Sequence, residues 1–255
     1  MEERQTNFTV MEGHELPSKG LIYDKKVNPH VELRSMTAKE EMQRLAVTSA
    51  PLKNLADIIE SCMLEKPAVH VYDMAIGDYE FLLHRLRVVT YGNKYKITVG
   101  CPHCGHLTET ELNLDALEIQ EFDQAKWEEL RSIRLPQSKQ LVTLNFQTPR
   151  MLEENDIKIA DMKRRYKDST ANFDELVPIM ASIDLVDGKK LNDFELESWI
   201  NSLLALDLAK LKNSFEALNN YIGIDNAFYI TCGKCRQEVK SFFRFGPEFF
   251  RPTNI

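Results

Sequence analysis

The residues that decide the fold lie between Tyr95 and Asn113 and read YKITVGCPHCGHLTETELN. Tyr95, Ile97 and Val99 alternate with polar residues before the cysteines, and a second alternating frame follows them. This pattern indicates two strands joined by a Cys-x-x-Cys turn. The same pattern returns at residues 228–245, which read FYITCGKCRQEVKSFFRF. The sequence therefore predicts two similar β-hairpins, each with a pair of cysteines at its tip.

The two cysteine pairs, Cys101 with Cys104 and Cys232 with Cys235, predict one metal site. Thiolates are soft ligands that suit zinc, and a Cys-x-x-Cys turn places two sulfurs close enough to hold one tetrahedral ion. We expect all four sulfurs to bind a single structural Zn²⁺ ion, which leaves no open position for catalysis. A redox-active dithiol and an iron centre are the alternatives. A redox motif normally joins a strand to a helix, whereas both pairs here lead into strands.

Three further residues could take part in metal or thiol chemistry. His103 and His106 flank the first cysteine pair and could substitute as ligands, but four cysteines already complete a site, so we interpret both as turn residues. Cys62 is the fifth cysteine, on the apolar face of a predicted helix. Free cysteine is among the most buried residue types, so we interpret it as a small core residue.

The composition favours a globular protein and excludes several partner classes. The chain has 255 residues, 43% of them hydrophobic, and a net charge of -7. An acidic protein does not draw its affinity from neutralising phosphates, so we expect no nucleic-acid partner. No apolar stretch approaches the ~20 residues of a membrane span, and the acidic start lacks a signal-peptide pattern. We therefore expect a soluble, cytosolic protein with no membrane partner.

The common catalytic and phosphate-binding motifs are absent from the sequence. It contains no GxxxxGK[ST], GxGxxG, HExxH or GxSxG pattern. Carboxylate pairs such as Glu153–Glu154 are interpreted as solvated helix surface. We expect no catalytic residues, no small-molecule substrate and no cofactor other than zinc.

The rest of the chain predicts an α+β fold that is mainly helical. Thr37 and Glu40 form a capping-box pattern, which predicts a helix over residues 38–47. Further helices are expected after Pro51, and the apolar spacing predicts a helical stretch from 193 to 222. The first ~15 residues show no sustained period and are expected to form a mobile arm. The expected segments are an N-terminal arm and turn (1–35), a helical region leading into the first zinc hairpin (36–114), a mainly helical lobe inserted between the cysteine pairs (115–225), and the second zinc hairpin with an aromatic tail (226–255).

A weak internal repeat is a further hypothesis. Residues 16–19 read LPSK and residues 135–139 read LPQSK, and each is followed by an extended piece and then a helix start at Thr37 or Thr148. Both segments therefore read as turn, strand and capped helix. Because Leu-Pro turns and Thr caps also recur by chance, a duplicated unit stays one of two interpretations.

The C-terminal segment carries an aromatic cluster, and its last two phenylalanines are Phe249 and Phe250. They follow Gly246 and Pro247, where a strand should end. Two interpretations are open. The rings could pack back onto the chain's own helices, as aromatic residues near a terminus often do. Alternatively, they could insert into a neighbouring subunit and act as partner-binding anchors, as buried aromatic residues at interfaces commonly do.

The sequence resembles the baseplate hub and hub-assembly proteins of T-even-type contractile-tailed bacteriophages. The resemblance covers about the first 115 residues, and the second cysteine pair with its Phe242-Phe-Arg-Phe245 strand is similar to the family's ending. The segments that carry it are Glu15–Gly20, Val31–Glu41, Ile58–Cys62, Asp78–Arg87, Tyr91-Gly92 and Cys101–Gly105.

The resemblance implies a non-enzymatic baseplate hub component or tail-assembly factor that binds other phage tail proteins. It would reside in the virion tail baseplate, or in the host cytoplasm during assembly. A cellular zinc-ribbon adaptor of transcription or RNA processing is the alternative, and a basic face beside the ribbon would favour it. An enzyme with an unrecognised site is a third class, which a deep polar pocket with convergent titratable groups would support.

Overall fold

The computed structural model describes residues 10–167, 172–242, 245 and 247–250. The helices are α1 (Ala38–Arg44), α2 (Pro51–Cys62), α3 (Ile76–Tyr91), α4 (Gln124–Arg131), α5 (Pro149–Arg165), α6 (Phe173–Ser182), α7 (Asp193–Ser202) and α8 (Ala205–Asn219). The strands are β1 (Met11–Glu15), β2 (His30–Arg34), β3 (Lys94–Gly100), β4 (Leu107–Asn113), β5 (Ile119–Gln120), β6 (Ser132–Arg134), β7 (Leu141–Leu144), β8 (Ile183–Val186), β9 (Gly223–Ile224), β10 (Ala227–Thr231) and β11 (Glu238–Phe242). The mixture of helix and strand agrees with the predicted α+β class.

The first hydrophobic core is built on α2 and α3. Proline at the first position of α2 fits the first helical turn, where its missing N–H costs no hydrogen bond. The predicted face of α2 is buried, with Ile58, Ile59 and Cys62 at 1% exposure or less. This core also takes in side chains from β2 and from both cysteine hairpins. Residues near the two ends of the described chain therefore share one core.

The capping box at the start of α1 is confirmed. The Thr37 side chain accepts a hydrogen bond within the first turn, and the Thr37 amide donates to Glu40 Oε2 at 2.8 Å. Arg34 Nη2 adds a 2.9 Å contact to the same carboxylate. The helix ends at Arg44, three residues before the predicted end.

The expectation of a mobile arm was wrong for residues 11–15, which form β1. Residues 1–9 of that expected arm lie outside the described residues. This strand pairs antiparallel with β2, with Met11 opposite Arg34 and Glu15 opposite His30. β2 supplies the buried side chains Val31 and Leu33, whereas β1 itself has no buried side chain. Cross-strand hydrogen bonds therefore order a strand whose own sequence has no hydrophobic signal.

The second core is formed almost entirely by residues 122–222. α4, α6, α7 and α8 pack there with the antiparallel sheet β6–β7–β8, and Trp127, Leu135 and Leu211 are among the buried side chains. The predicted helical stretch from 193 to 222 divides into α7 and α8, because Leu203 and Leu204 are extended. The boundaries of the four predicted segments stay predictions.

The LPSK turn and the LPQSK turn are held in the same way, which extends the weak repeat seen in the sequence. The Ser18 amide donates to Asp78 at 3.0 Å, and the Gln137 and Ser138 amides donate to Asp207 at 2.7 and 2.9 Å. Asp78 and Asp207 are each the third residue of their helix, α3 and α8. Each half of the chain thus contains a hairpin turn, a threonine-capped helix, a helix with a buried aspartate in its first turn, and a cysteine hairpin.

Candidate metal centre

The first cysteine hairpin is formed by β3 and β4, which pair in register from Lys94–Asn113 to Gly100–Leu107. At its tip, the Cys101 amide donates to the His106 carbonyl at 2.9 Å and the Gly105 amide donates to the Cys101 carbonyl at 2.9 Å. Gly105 has a φ of 68°, a left-handed conformation that glycine adopts without strain. These bonds close a tight turn that directs both cysteines to one side.

The second hairpin repeats this geometry in β10 and β11, which pair from Ala227–Phe242 to Thr231–Glu238. The Cys232 amide donates to the Gln237 carbonyl at 2.9 Å, and the Arg236 amide donates to the Cys232 carbonyl at 3.1 Å. Arg236 directly follows Cys235, as Gly105 follows Cys104, and it has the same left-handed conformation, with a φ of 62°. The two predicted hairpins are therefore present and have matching turns.

The structure brings all four predicted cysteines together. Their sulfur atoms lie within 4.8 Å of one another, with Cys101 Sγ 3.6 Å from Cys235 Sγ and Cys104 Sγ 3.7 Å from Cys232 Sγ. Zinc binds thiolates at about 2.3 Å in a tetrahedron, whose edges are then about 3.8 Å. The sulfurs lie at separations that suit one tetrahedral ion. Each close pair joins one hairpin to the other, so a bound ion would link the two halves of the chain.

The thiol environment favours a bound cation. The backbone amides of Cys235 and Lys234 lower the pKa of Cys232 to about 6. The Gln237 amide lowers the pKa of Cys235, but desolvation and the three neighbouring thiols together raise it to about 12. The turn amides therefore stabilise a thiolate at Cys232, whereas a second thiolate beside it at Cys235 is disfavoured. A divalent cation would offset that repulsion, and the four cysteines lie close enough together to hold one.

The site rests on the first hydrophobic core. Cys101 and Cys232 are buried at 4% and 0% exposure, and Cys104 and Cys235 are partly buried. Val99, Ile230 and Val239 lie on the inward faces of the hairpins and belong to the same core. Thr108 Oγ1 also accepts a hydrogen bond from the Gly233 amide at 3.3 Å, which ties one turn to the other strand pair. Packing therefore holds the sulfurs in position.

His103 and His106 stay outside the group of side chains that could hold the ion. Among the described residues, that group consists of the four cysteines alone. Cys62 is fully buried in α2, and burial raises the pKa of its thiol. This agrees with its interpretation as a core residue.

Phe249 and Phe250, which were proposed as partner-binding anchors, are both at 0% exposure inside this chain. The Phe249 ring lies 5.3 Å from that of Tyr95 and stacks on His84 at 6.4 Å. The guanidinium of Arg44 lies 5.9 Å from the Phe250 ring centre. In the structure, both rings pack onto this chain's own core. Contact of these rings with a partner would require the segment to leave that core.

The family of the chain is shown by a comparison with protein-family models. The family described as T4 bacteriophage base plate protein matches residues 12–251. The chain belongs to this family. The match spans both cysteine hairpins and everything between them. No curated protein and no solved structure matches the chain. Among the described residues, no helix is long and apolar enough to span a membrane.

Proposed function

We propose that this baseplate-family protein is a non-enzymatic hub component or hub-assembly factor of a contractile phage tail, and that a structural zinc ion supports its fold. The observation that carries the proposal is the four-sulfur cluster, which joins a hairpin from each half of a chain that matches the baseplate family over residues 12–251. Its partners are other tail proteins. It resides in the virion baseplate, or in the host cytoplasm during assembly.

The proposed role of the zinc is to link the two halves. Cys101 and Cys232 directly follow β3 and β10, two strands far apart in sequence, and the sulfur pairs cross from one hairpin to the other. Metal binding to such a site contributes directly to folding free energy, because the unfolded chain has no preformed site. Four sulfur ligands leave no position for a substrate or an activated water, which supports a structural ion.

The proposal is tested by genetic complementation. Phage that lack this gene should fail to form complete baseplates, and the parent chain supplied in trans should restore them. The Cys232→Ser variant should restore few or none, whereas the matched control Cys62→Ser leaves the cluster intact. Baseplates are counted by sedimentation and electron microscopy. Normal baseplates without any copy of the gene would contradict the proposal.

Mass spectrometry of purified virions then separates the two roles. A hub component is present in the particles at fixed stoichiometry. An assembly factor is present in the infected cells and absent from the particles.

A further inference from the structure

The outward face of the second cysteine hairpin carries two exposed aromatic rings. Tyr229 is 59% exposed and Phe242 is 58% exposed. Lys240 lies opposite Tyr229 in the strand register, and its Nζ is 5.8 Å from the Tyr229 ring centre and 5.1 Å from that of Phe242. We call these three residues the aromatic face. Large exposed apolar side chains grouped in this way commonly mark an interaction site.

The first hairpin provides an internal comparison for this face. Counted from the cysteines, Thr98 occupies the position of Tyr229, Glu109 that of Lys240 and Glu111 that of Phe242. All three are exposed on the outward face of β3–β4. The same strand pair and the same turn therefore fold with polar residues at these positions. Burial within this chain does not explain the aromatic rings, since they remain exposed.

The charge of the second cysteine hairpin indicates the kind of partner. Lys234, Arg236 and Lys240 are exposed on this hairpin with one acidic neighbour, Glu238. The chain as a whole carries a net charge of -7, so this hairpin is a local basic surface on an acidic protein. A basic hairpin that also exposes aromatic rings is complementary to a partner surface that combines carboxylates with apolar side chains, and such complementarity raises association rates and selects partners.

We propose that the aromatic face is a docking surface for another baseplate protein, one that presents an apolar patch ringed by Asp and Glu side chains. This inference rests on the proposed function and names the surface through which it acts. A protein partner is favoured over nucleic acid because the overall negative charge opposes binding to phosphates. Exposed Tyr and Phe rings with a central cation supply the anchoring groups of such an interface.

The test transplants the surface of the first hairpin onto the second. Tyr229→Thr combined with Phe242→Glu places at these positions the residues that the first hairpin carries. Both sites are exposed, so the melting temperature and the zinc content should remain those of the parent. Binding to the baseplate protein that the crosslinking experiment below identifies should weaken by at least about tenfold, because anchor residues dominate interface affinity. The matched control, Thr98→Ala with Glu111→Ala, should bind as the parent does.

The partner is identified by photocrosslinking. A photoreactive phenylalanine analogue at position 229, compared with the same analogue at position 98, is irradiated in cells that produce the phage. We expect position 229 alone to yield a crosslink, to a peptide of another baseplate protein with carboxylates beside apolar residues. Crosslinks to nucleic acid, to a second copy of this chain, or equally from both positions would overturn the inference.

The two proposals can fail separately. If the Tyr229→Thr, Phe242→Glu variant assembles normal baseplates while Cys232→Ser does not, the docking surface is wrong and the proposed function stands. If phage without the gene assemble normally, the proposed function itself is wrong.

Discussion

Replacing Phe249 with alanine tests whether the C-terminal aromatic segment is part of the fold. The ring is fully buried and lies 5.2 Å from Phe245 and 5.3 Å from Tyr95, with the Arg87 guanidinium 5.8 Å from its centre. Such a ring contributes to stability by apolar burial and by contacts with neighbouring rings and a cation. Alanine would leave a cavity between α3, β3 and the segment itself.

We expect Phe249→Ala to lower the free energy of unfolding by about 3 kcal/mol. This is the lower end of the range for truncating a buried phenylalanine to alanine, because a segment near the chain end can partly collapse into the cavity. For a chain of this size each kcal/mol shifts the melting temperature by about 2–4 °C. The Phe249→Ala variant should therefore melt about 6–12 °C lower than the parent. The control Phe242→Ala removes a ring that is 58% exposed and should melt within about 2 °C of the parent.

Circular dichroism follows the melting, and metal content is measured on the same samples. We expect Phe249→Ala to retain its metal, since no cysteine is altered. If Phe249→Ala melts with the parent yet loses its tail-protein partners, the ring serves a partner and the inward packing described here is refuted.

Two further predictions concern the metal site and a buried ion pair. Cys101→Ser and Cys232→Ser should each release zinc and lower the free energy of unfolding by several kcal/mol. Cys62→Ala should lower it by roughly 1–2 kcal/mol and keep the metal. Zinc release from the Cys62→Ala protein would show that the ligand assignment is wrong. The Arg34 hydrogen bond lowers the pKa of Glu40 from 4.5 to about 2, so this carboxylate stabilises the fold above pH 4.5 and loses that effect as the pH falls towards 2. Urea unfolding should show Glu40→Gln less stable than the parent at pH 7, with a difference that shrinks between pH 4.5 and pH 3; a difference independent of pH would contradict the ion pair.

Local patterns made much of this structure predictable. The cysteine hairpins follow from strand alternation around a short turn, and the α1 start follows from Thr37 and Glu40 alone. In each case the decisive hydrogen bonds join residues only a few positions apart. Strand β1 was missed because its order comes from pairing with β2 rather than from its own side chains. The division of residues 193–222 into α7 and α8 was missed because apolar spacing continues through the break.

Long-range contacts set the limit of sequence reasoning here. Asp78 binds the turn at Ser18, and Asp207 binds the turn at Gln137 and Ser138, across gaps of 60 and about 70 residues. Nothing local distinguishes these aspartates from solvated ones. The direction of Phe249 was likewise open, because its environment is built by α3 and β3. The cysteine cluster was recognisable in advance, since ligand chemistry identifies partners that sequence distance hides.

The most direct test of this account is the metal content and metal coordination of the purified chain. Elemental analysis should give one zinc per chain, and X-ray absorption should show four sulfur neighbours at about 2.3 Å with no nitrogen or oxygen ligand. A folded, metal-free protein whose four cluster thiols all react freely with a thiol reagent would contradict the zinc site and its proposed role in joining the two halves.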